Sequence, residues 1–111
     1  MKPLELAIKY LEIFYSGNNI QDLSQLFTND LKFNGPFYTF ETSEAYVNSL
    51  LSNPPKDFKY SILHSYENAT SACIIYQFSK PGVTLPMTQY FEVKNEKISK
   101  ILLIFDTSKF T

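Results

Sequence analysis

Leu26-Phe27-Thr28-Asn29-Asp30-Leu31-Lys32-Phe33-Asn34-Gly35-Pro36-Phe37-Tyr38-Thr39-Phe40 is the stretch in which the chain changes periodicity: a helical pattern ends, a strand starts, and Gly35-Pro36 turns it sharply. Before it, Pro3 suits the first turn of a helix and Gly17 supplies a left-handed stop after Ser16. Between them Glu5, Lys9 and Glu12 make one narrow polar stripe, and apolar residues from Leu4 to Tyr15 fill the rest of the circumference, so this helix should be buried on most sides. Asn18-Asn19 caps a second helix with Ile20, Leu23, Leu26 and Phe27 facing inward, which should stop before Asp30. Leu31 to Asn34 reads as a short strand. After the corner, Thr42 or Ser43 caps a third helix carrying Ala45, Tyr46, Val47, Leu50 and Leu51, and Asn53-Pro54-Pro55 ends it.

From Phe58 the period is two. Phe58, Tyr60, Ile62, His64 and Tyr66 share one face of a strand, with Lys59, Ser61, Leu63, Ser65 and Glu67 on the other. Glu67-Asn68-Ala69-Thr70 turns the chain; its match to a glycosylation acceptor is more simply read as turn residues. The next strand sets Ala72, Ile74, Tyr76 and Phe78 against Cys73, Ile75, Gln77 and Ser79, and Lys80-Pro81-Gly82 closes it. A third sets Leu85, Met87, Gln89, Phe91 and Val93 against Pro86, Thr88, Tyr90, Glu92 and Lys94, ending in a hairpin at Asn95-Glu96. The last, Ile98 to Asp106, holds Ile101-Leu102-Leu103-Ile104-Phe105, apolar on both faces, which predicts a central strand. Three helices followed by a strand meander predict an α+β fold, with the helices packed on one face of a curved, mainly antiparallel sheet.

The 111 residues suffice for a single domain spanning 1–111. The chain is 44% hydrophobic and 16% aromatic, without tryptophan, which points to large apolar surfaces. A net charge of −1 and the lack of a basic stripe argue against nucleic acid as a partner. All ten basic residues are lysines, so no guanidinium fork is available for phosphate or carboxylate recognition. Cys73 is alone, which precludes an intramolecular disulfide and a multi-thiolate metal site; nothing calls for a metal or cofactor. The N-terminal helix lacks a signal peptide's apolar core, and no apolar run is long enough to span a bilayer, so the cytoplasm is expected and a membrane is not.

The order of these pieces, a helix ending in Ser16-Gly17-Asn18, then Leu23-x-x-Leu26-Phe27-Thr28-Asn29-Asp30-Leu31-x-Phe33-x-Gly35-Pro36, Ser43-Glu44-Ala45-Tyr46, Tyr90-Phe91-Glu92-Val93, Lys97-Ile98 and Phe105-Asp106, resembles the SnoaL-like and ketosteroid-isomerase-like branch of the nuclear transport factor 2-like superfamily. The resemblance covers nearly the whole chain and implies a cone, a strongly bent sheet wrapped around helices with a pocket between them. It also implies three catalytic positions. Tyr10, seven residues before Gly17, matches the oxyanion-donating tyrosine; Gly35 stands where the aspartate base would precede Pro36; and Gln89 occupies or neighbours the position of a second, protonated acid donor. Without that base, steroid-type isomerisation should be absent or very slow. The epoxide-hydrolase relatives need an arginine, which this chain lacks.

His64 remains for acid–base work, on the face expected to hold Tyr60, Ile62 and Tyr66. A lone histidine on an apolar strand face is more often structural, and a buried tyrosine such as Tyr10 needs only one partner for its hydroxyl. Gln89 is more telling, because a buried amide must be paired. Tyr10, His64 and Gln89 are therefore expected to point into one cavity. Phe14, Phe33, Phe37, Tyr38, Phe40, Tyr46, Tyr60, Tyr76, Phe78, Met87, Phe91 and Phe105 either line it or simply fill the cone. Phe37, Tyr38 and Phe40 follow the Gly35-Pro36 corner, where the resemblance implies the pocket rim.

Three readings follow. The first is a domain binding a small apolar ligand without assigned chemistry; the second is an isomerase- or cyclase-type enzyme with His64 as base and Tyr10 and Gln89 as donors; the third is an interaction module with a filled cone. Whether any reaction is catalysed stays open, with the missing aspartate and arginine weighing against it. A homodimer is expected through the outer sheet face, where Leu102 and Ile104 should join Leu63, Cys73, Ile75 and Tyr90.

Overall fold

Pro3 opens the first helix because its missing N–H falls where no intrahelical partner exists. The computed structural model describes residues 1–110, in which α1 spans Pro3–Ser16. The Glu5 carboxylate accepts the Lys2 N–H at 3.2 Å, and Gly17, at φ 69°, ends the helix by donating to the Phe14 carbonyl. Leu6, Ala7, Tyr10 and Leu11 are buried, and Glu5, Lys9 and Glu12 face water, as the stripe predicts.

The second helical stretch is shorter than its pattern suggests. It is a 3-10 helix, Ile20–Gln25, and β1 (Phe27–Asn34) starts at Phe27 rather than Leu31. Pairing decides this: Phe27 sits opposite Ile98, and the Ile98 N–H reaches the Leu26 carbonyl at 2.7 Å. Thr28, Asn29 and Asp30 are weak helix formers, so the sheet wins the segment. At the corner Gly35 N–H donates to Tyr38 O at 2.9 Å, folding Thr39–Phe40 back as β2 opposite Phe33, a short strand that the pattern does not announce. A Cβ on Gly35 would lie 3.1 Å from the Phe33 ring, so the tight corner favours glycine. α2 (Ser43–Ser52) follows, capped by Thr42 Oγ1, which accepts the Ala45 N–H at 3.1 Å.

The remaining strands are β3 (Lys59–Glu67), β4 (Ser71–Lys80), β5 (Val83–Lys94) and β6 (Lys97–Ile104), in a sheet ordered β2-β1-β6-β5-β4-β3. All pairings are antiparallel except β1 with β6, so the sheet is mixed, and β6 lies between β1 and β5 as its doubly apolar run predicts. The result is an α+β fold in which the helices cover one face of a curved, unclosed six-stranded sheet. Register breaks at Phe27/Lys32, Ile62/His64 and Glu92/Val93 add local bend.

The break in β3 reverses one expectation. Tyr60 pairs with Phe78 and Ile62 with Tyr76, both on the inner face, but Leu63 is then skipped and His64 pairs with Ile75 and Tyr66 with Cys73. One extra residue inverts the alternation, so His64 and Tyr66 move to the outer face and Ser65 and Glu67 to the inner one. Glu67 accordingly accepts the Leu4 N–H of α1 at 3.0 Å.

Candidate ligand-binding site in the cone

Inward-pointing residues of β4 and β5 form the floor of the cone. Gln89, 3% exposed, lies between Met87 and Phe91 along β5 and opposite Ile74 and Leu103 on the neighbouring strands. Its Nε2 donates to Tyr76 Oη at 2.9 Å, and the Tyr15 hydroxyl donates to the same oxygen at 3.0 Å. The Tyr76 hydroxyl in turn donates to Met87 Sδ, a weak acceptor, with 3.7 Å between oxygen and sulfur. Gln89 Oε1 has no hydrogen-bond partner; Thr28 Oγ1, beside the irregular part of β1, is the other such buried side-chain atom among the described residues.

Tyr10 stands across from this floor on α1, its ring edge-on to Phe91 at 5.6 Å. Its hydroxyl pairs with that of Tyr46 on α2 at 2.6 Å rather than with Gln89. Burial, followed by the neighbouring Tyr46, holds the Tyr10 phenol well above its ordinary pKa. Tyr76 is also raised by burial, in part offset by the hydrogen bonds it accepts from Tyr15 and Gln89. The interior therefore presents neutral phenols and one amide. Ser43 and Gln89 are the buried polar residues among those described, so no carboxylate, ammonium or imidazole accompanies them.

The expected trio is thus divided. Tyr10 and Gln89 face the same interior, whereas His64 lies exposed on the outer face, its ring stacked 6.5 Å from that of Tyr66, because of the β3 bulge. Of the aromatic and Met set, Phe33, Tyr46, Tyr76, Phe78, Met87 and Phe91 are buried, and Phe14, Phe40, Tyr60 and Phe105 are half-buried. Phe37 and Tyr38 are 53% and 68% exposed; Tyr38 stacks on Phe40, and Phe37 meets Phe105 edge-on at 5.4 Å. Two residues outside the expected set belong with it. Tyr15 joins the hydroxyl network, and Phe110, in a C-terminal 3-10 turn (Thr107–Phe110), packs against Phe37, Phe78 and Phe105 with Lys80 Nζ 5.0 Å from its ring. Tyr15 could be placed on α1 from its spacing, but nothing local marks Phe110, which follows the last strand.

Two surface hollows lie elsewhere, one of about 360 Å³ lined by Asp57, Lys59, Ser79, Lys80 and Pro81, the other of about 210 Å³ beside Tyr66, Cys73 and Tyr90. Neither includes a sequence-predicted site residue.

No family model matches the chain, and no curated protein matches it. Solved structures do. An NTF2-like protein of unknown function from Cytophaga hutchinsonii is 21% identical, with a TM-score of 0.84 over 99% of this chain and 95% of its own. A proposed ketosteroid isomerase from Kribbella flavida is 16% identical, with a TM-score of 0.77 over 92% of this chain and 78% of its own. A proposed SnoaL-like polyketide cyclase from Mesorhizobium loti is 19% identical, with a TM-score of 0.68 over 95% of this chain and all of its own. At such identities the likeness speaks for the fold, which is the nuclear transport factor 2-like cone.

Proposed function

We propose that this chain, a nuclear transport factor 2-like cone, binds a small apolar molecule against the floor formed by Gln89 and Tyr76, under the roof of Tyr10 and Tyr46. The observation that carries this reading is Gln89 itself: an amide buried to 3% in an aromatic interior, with its carbonyl oxygen unpaired. Leaving such a group unmet costs about 1–3 kcal/mol, which an apolar side chain at the same position would avoid.

Proton-transfer chemistry of the isomerase type is less well supported. His64 lies on the outer face, and the interior phenols, raised by burial, hold their protons at neutral pH. Binding without a proton-transfer step suits these groups better. Two copies would pair through the outer sheet face, away from the cone, and the cytoplasm, where the lone Cys73 would stay reduced, is the compartment we favour.

Naphthalene tests the binding reading. Titrated into isotopically labelled protein, it should shift the Gln89 side-chain amide resonances and saturate at one molecule per chain. A spectrum that stays unchanged to the solubility limit would mean a filled cone and would end the proposal.

A further inference from the structure

The two edges of the sheet are unlike. β2 ends one side with a strand of two residues, whereas β3, nine residues long, ends the other; it pairs with β4, and among the described residues no segment pairs with its free edge. A row of unpaired N–H and C=O groups invites another strand, and such edges are commonly guarded by charged side chains, proline or a bulge. Lys59 and Glu67 stand at the ends of β3, but the run Tyr60-Ser61-Ile62-Leu63-His64-Ser65-Tyr66 between them has no lysine, acid or proline, and Ile62, Leu63 and Tyr66 are exposed. The guard that remains is the bulge: Ile62 pairs with Tyr76 and His64 with Ile75, which leaves Leu63 as the extra residue.

That bulge also selects what can pair there, because residues opposite each other in a sheet share a face. Tyr60 and Ile62 face inward and Ser61 outward; Leu63, next after Ile62, and His64, set against outward-facing Ile75, both turn outward; Ser65 and Glu67 then face inward and Tyr66 outward. A straight strand alternates strictly, so it matches these faces on one side of the bulge and opposes them on the other. A second β3, laid antiparallel with Leu63 opposite His64 of the other copy, matches them throughout: Ile62 meets Ser65, Ser61 meets Tyr66 and Tyr60 meets Glu67, with no like charges opposed. Slipping the register by one residue, so that Leu63 meets itself, sets inward Tyr60 against outward Tyr66. We infer that the free edge of β3 takes the same edge of a second copy of this chain, the two bulges facing each other across a two-fold axis, so that both sheets run on as one. This contact is separate from the cone and from the pairing through the outer face.

One strand edge is much smaller than the roughly 800 Å² per partner of a standard interface, so this association belongs nearer to about 1 mM than to about 1 μM. It is measured in Ile104→Lys, which leaves β3 untouched and removes the pairing through the outer face. Sedimentation equilibrium of that protein should pass from the mass of one chain at about 10 μM to that of two near about 1 mM. In a mixture of isotope-labelled and unlabelled chains, filtered nuclear Overhauser spectra should place Leu63 of one copy against His64 of the other. Adding Leu63→Lys, at an exposed position, brings two lysines together at the axis and should weaken association roughly tenfold, through the like-charge contact and the loss of two leucines. Mixing that protein with its Leu63→Glu counterpart should restore it. A single-chain mass over the whole range would overturn the inference, as would a dimer that lacks the Leu63–His64 contacts or survives Leu63→Lys. If Leu63→Lys fails to fold, the spectra of the mixed sample decide alone. Naphthalene binding in the cone is untouched by any of these results.

Discussion

Tyr10, Tyr15, Tyr46 and Tyr76 share a medium that disfavours the phenolate, and burial is the leading cause of the upward shift at each. The consequence for stability has a definite sign. A phenol whose folded pKa exceeds its unfolded value of about 10 keeps its proton in the folded chain while the unfolded chain releases it, so its contribution is fully present below the unfolded value and is lost as pH climbs toward the folded one. The loss approaches about 1.4 kcal/mol per pH unit for each such phenol. Urea unfolding followed at a series of alkaline pH values should therefore give a midpoint that holds up to about pH 9 and falls steeply beyond about pH 10. A midpoint unchanged at about pH 11 would show that these hydroxyls are not shielded as the geometry requires. Gln89 was legible as an anomaly because it interrupts an apolar alternation, but its partner was not: the pairing with Tyr76 depends on β4 and β5 lying side by side.

At the scale of elements, the β5–β6 hairpin carries local strain. Asn95 and Glu96 both take positive φ, 54° and 62°, as a two-residue turn of this twist demands. Asparagine accepts that conformation readily; glutamate does so at a cost of about 1–2 kcal/mol. Glu96→Gly should thus raise the thermal midpoint, by about 1 kcal/mol of stability. The ion pair it would remove, Glu96 with the N-terminal amine at 3.8 Å, is exposed and offsets little. A lowered midpoint would contradict the turn geometry. The same scale explains the misplaced histidine. The alternation in β3 is real from Phe58 to Ile62, but skipping Leu63 inverts every face after it, and a bulge leaves no mark in a run that still alternates.

For the whole molecule, the helices occupy one side of the sheet and leave the other bare. The row His64, Ile75, Thr88 and Ile104 and the adjacent row Tyr66, Cys73, Tyr90 and Leu102 run across β3 to β6 without a charged residue. Ile104 and Tyr66 are 54% and 60% exposed. A self-complementary pairing of two copies is the common way to cover such a face in a small domain. Sedimentation at micromolar concentration should give twice the mass of one chain, and Ile104→Lys should halve it with an unchanged far-ultraviolet circular dichroism spectrum, because a lysine is tolerated on an open surface and costly inside an apolar interface. A single-chain mass in the unaltered protein would sink the dimer.

The sequence by itself determined what depends on near neighbours along the chain. The stripe of Glu5, Lys9 and Glu12, the stop at Gly17, the corner at Gly35-Pro36 and the alternation of β4 and β5 are local patterns, and from them came the α+β class, the order of the elements and an inward Gln89. Tertiary structure decided what depends on partners far away. Pairing with β6 turned Phe27 from a helix end into a strand start and made that pairing parallel, a bulge set against β4 carried His64 out of the cone, and packing closed Tyr10 on Tyr46, 36 residues away, in place of Gln89. Periodicity reports which side of an element is apolar; which polar atom meets which is fixed only when the elements are brought together, since a hydrogen bond demands contact to within about 3 Å.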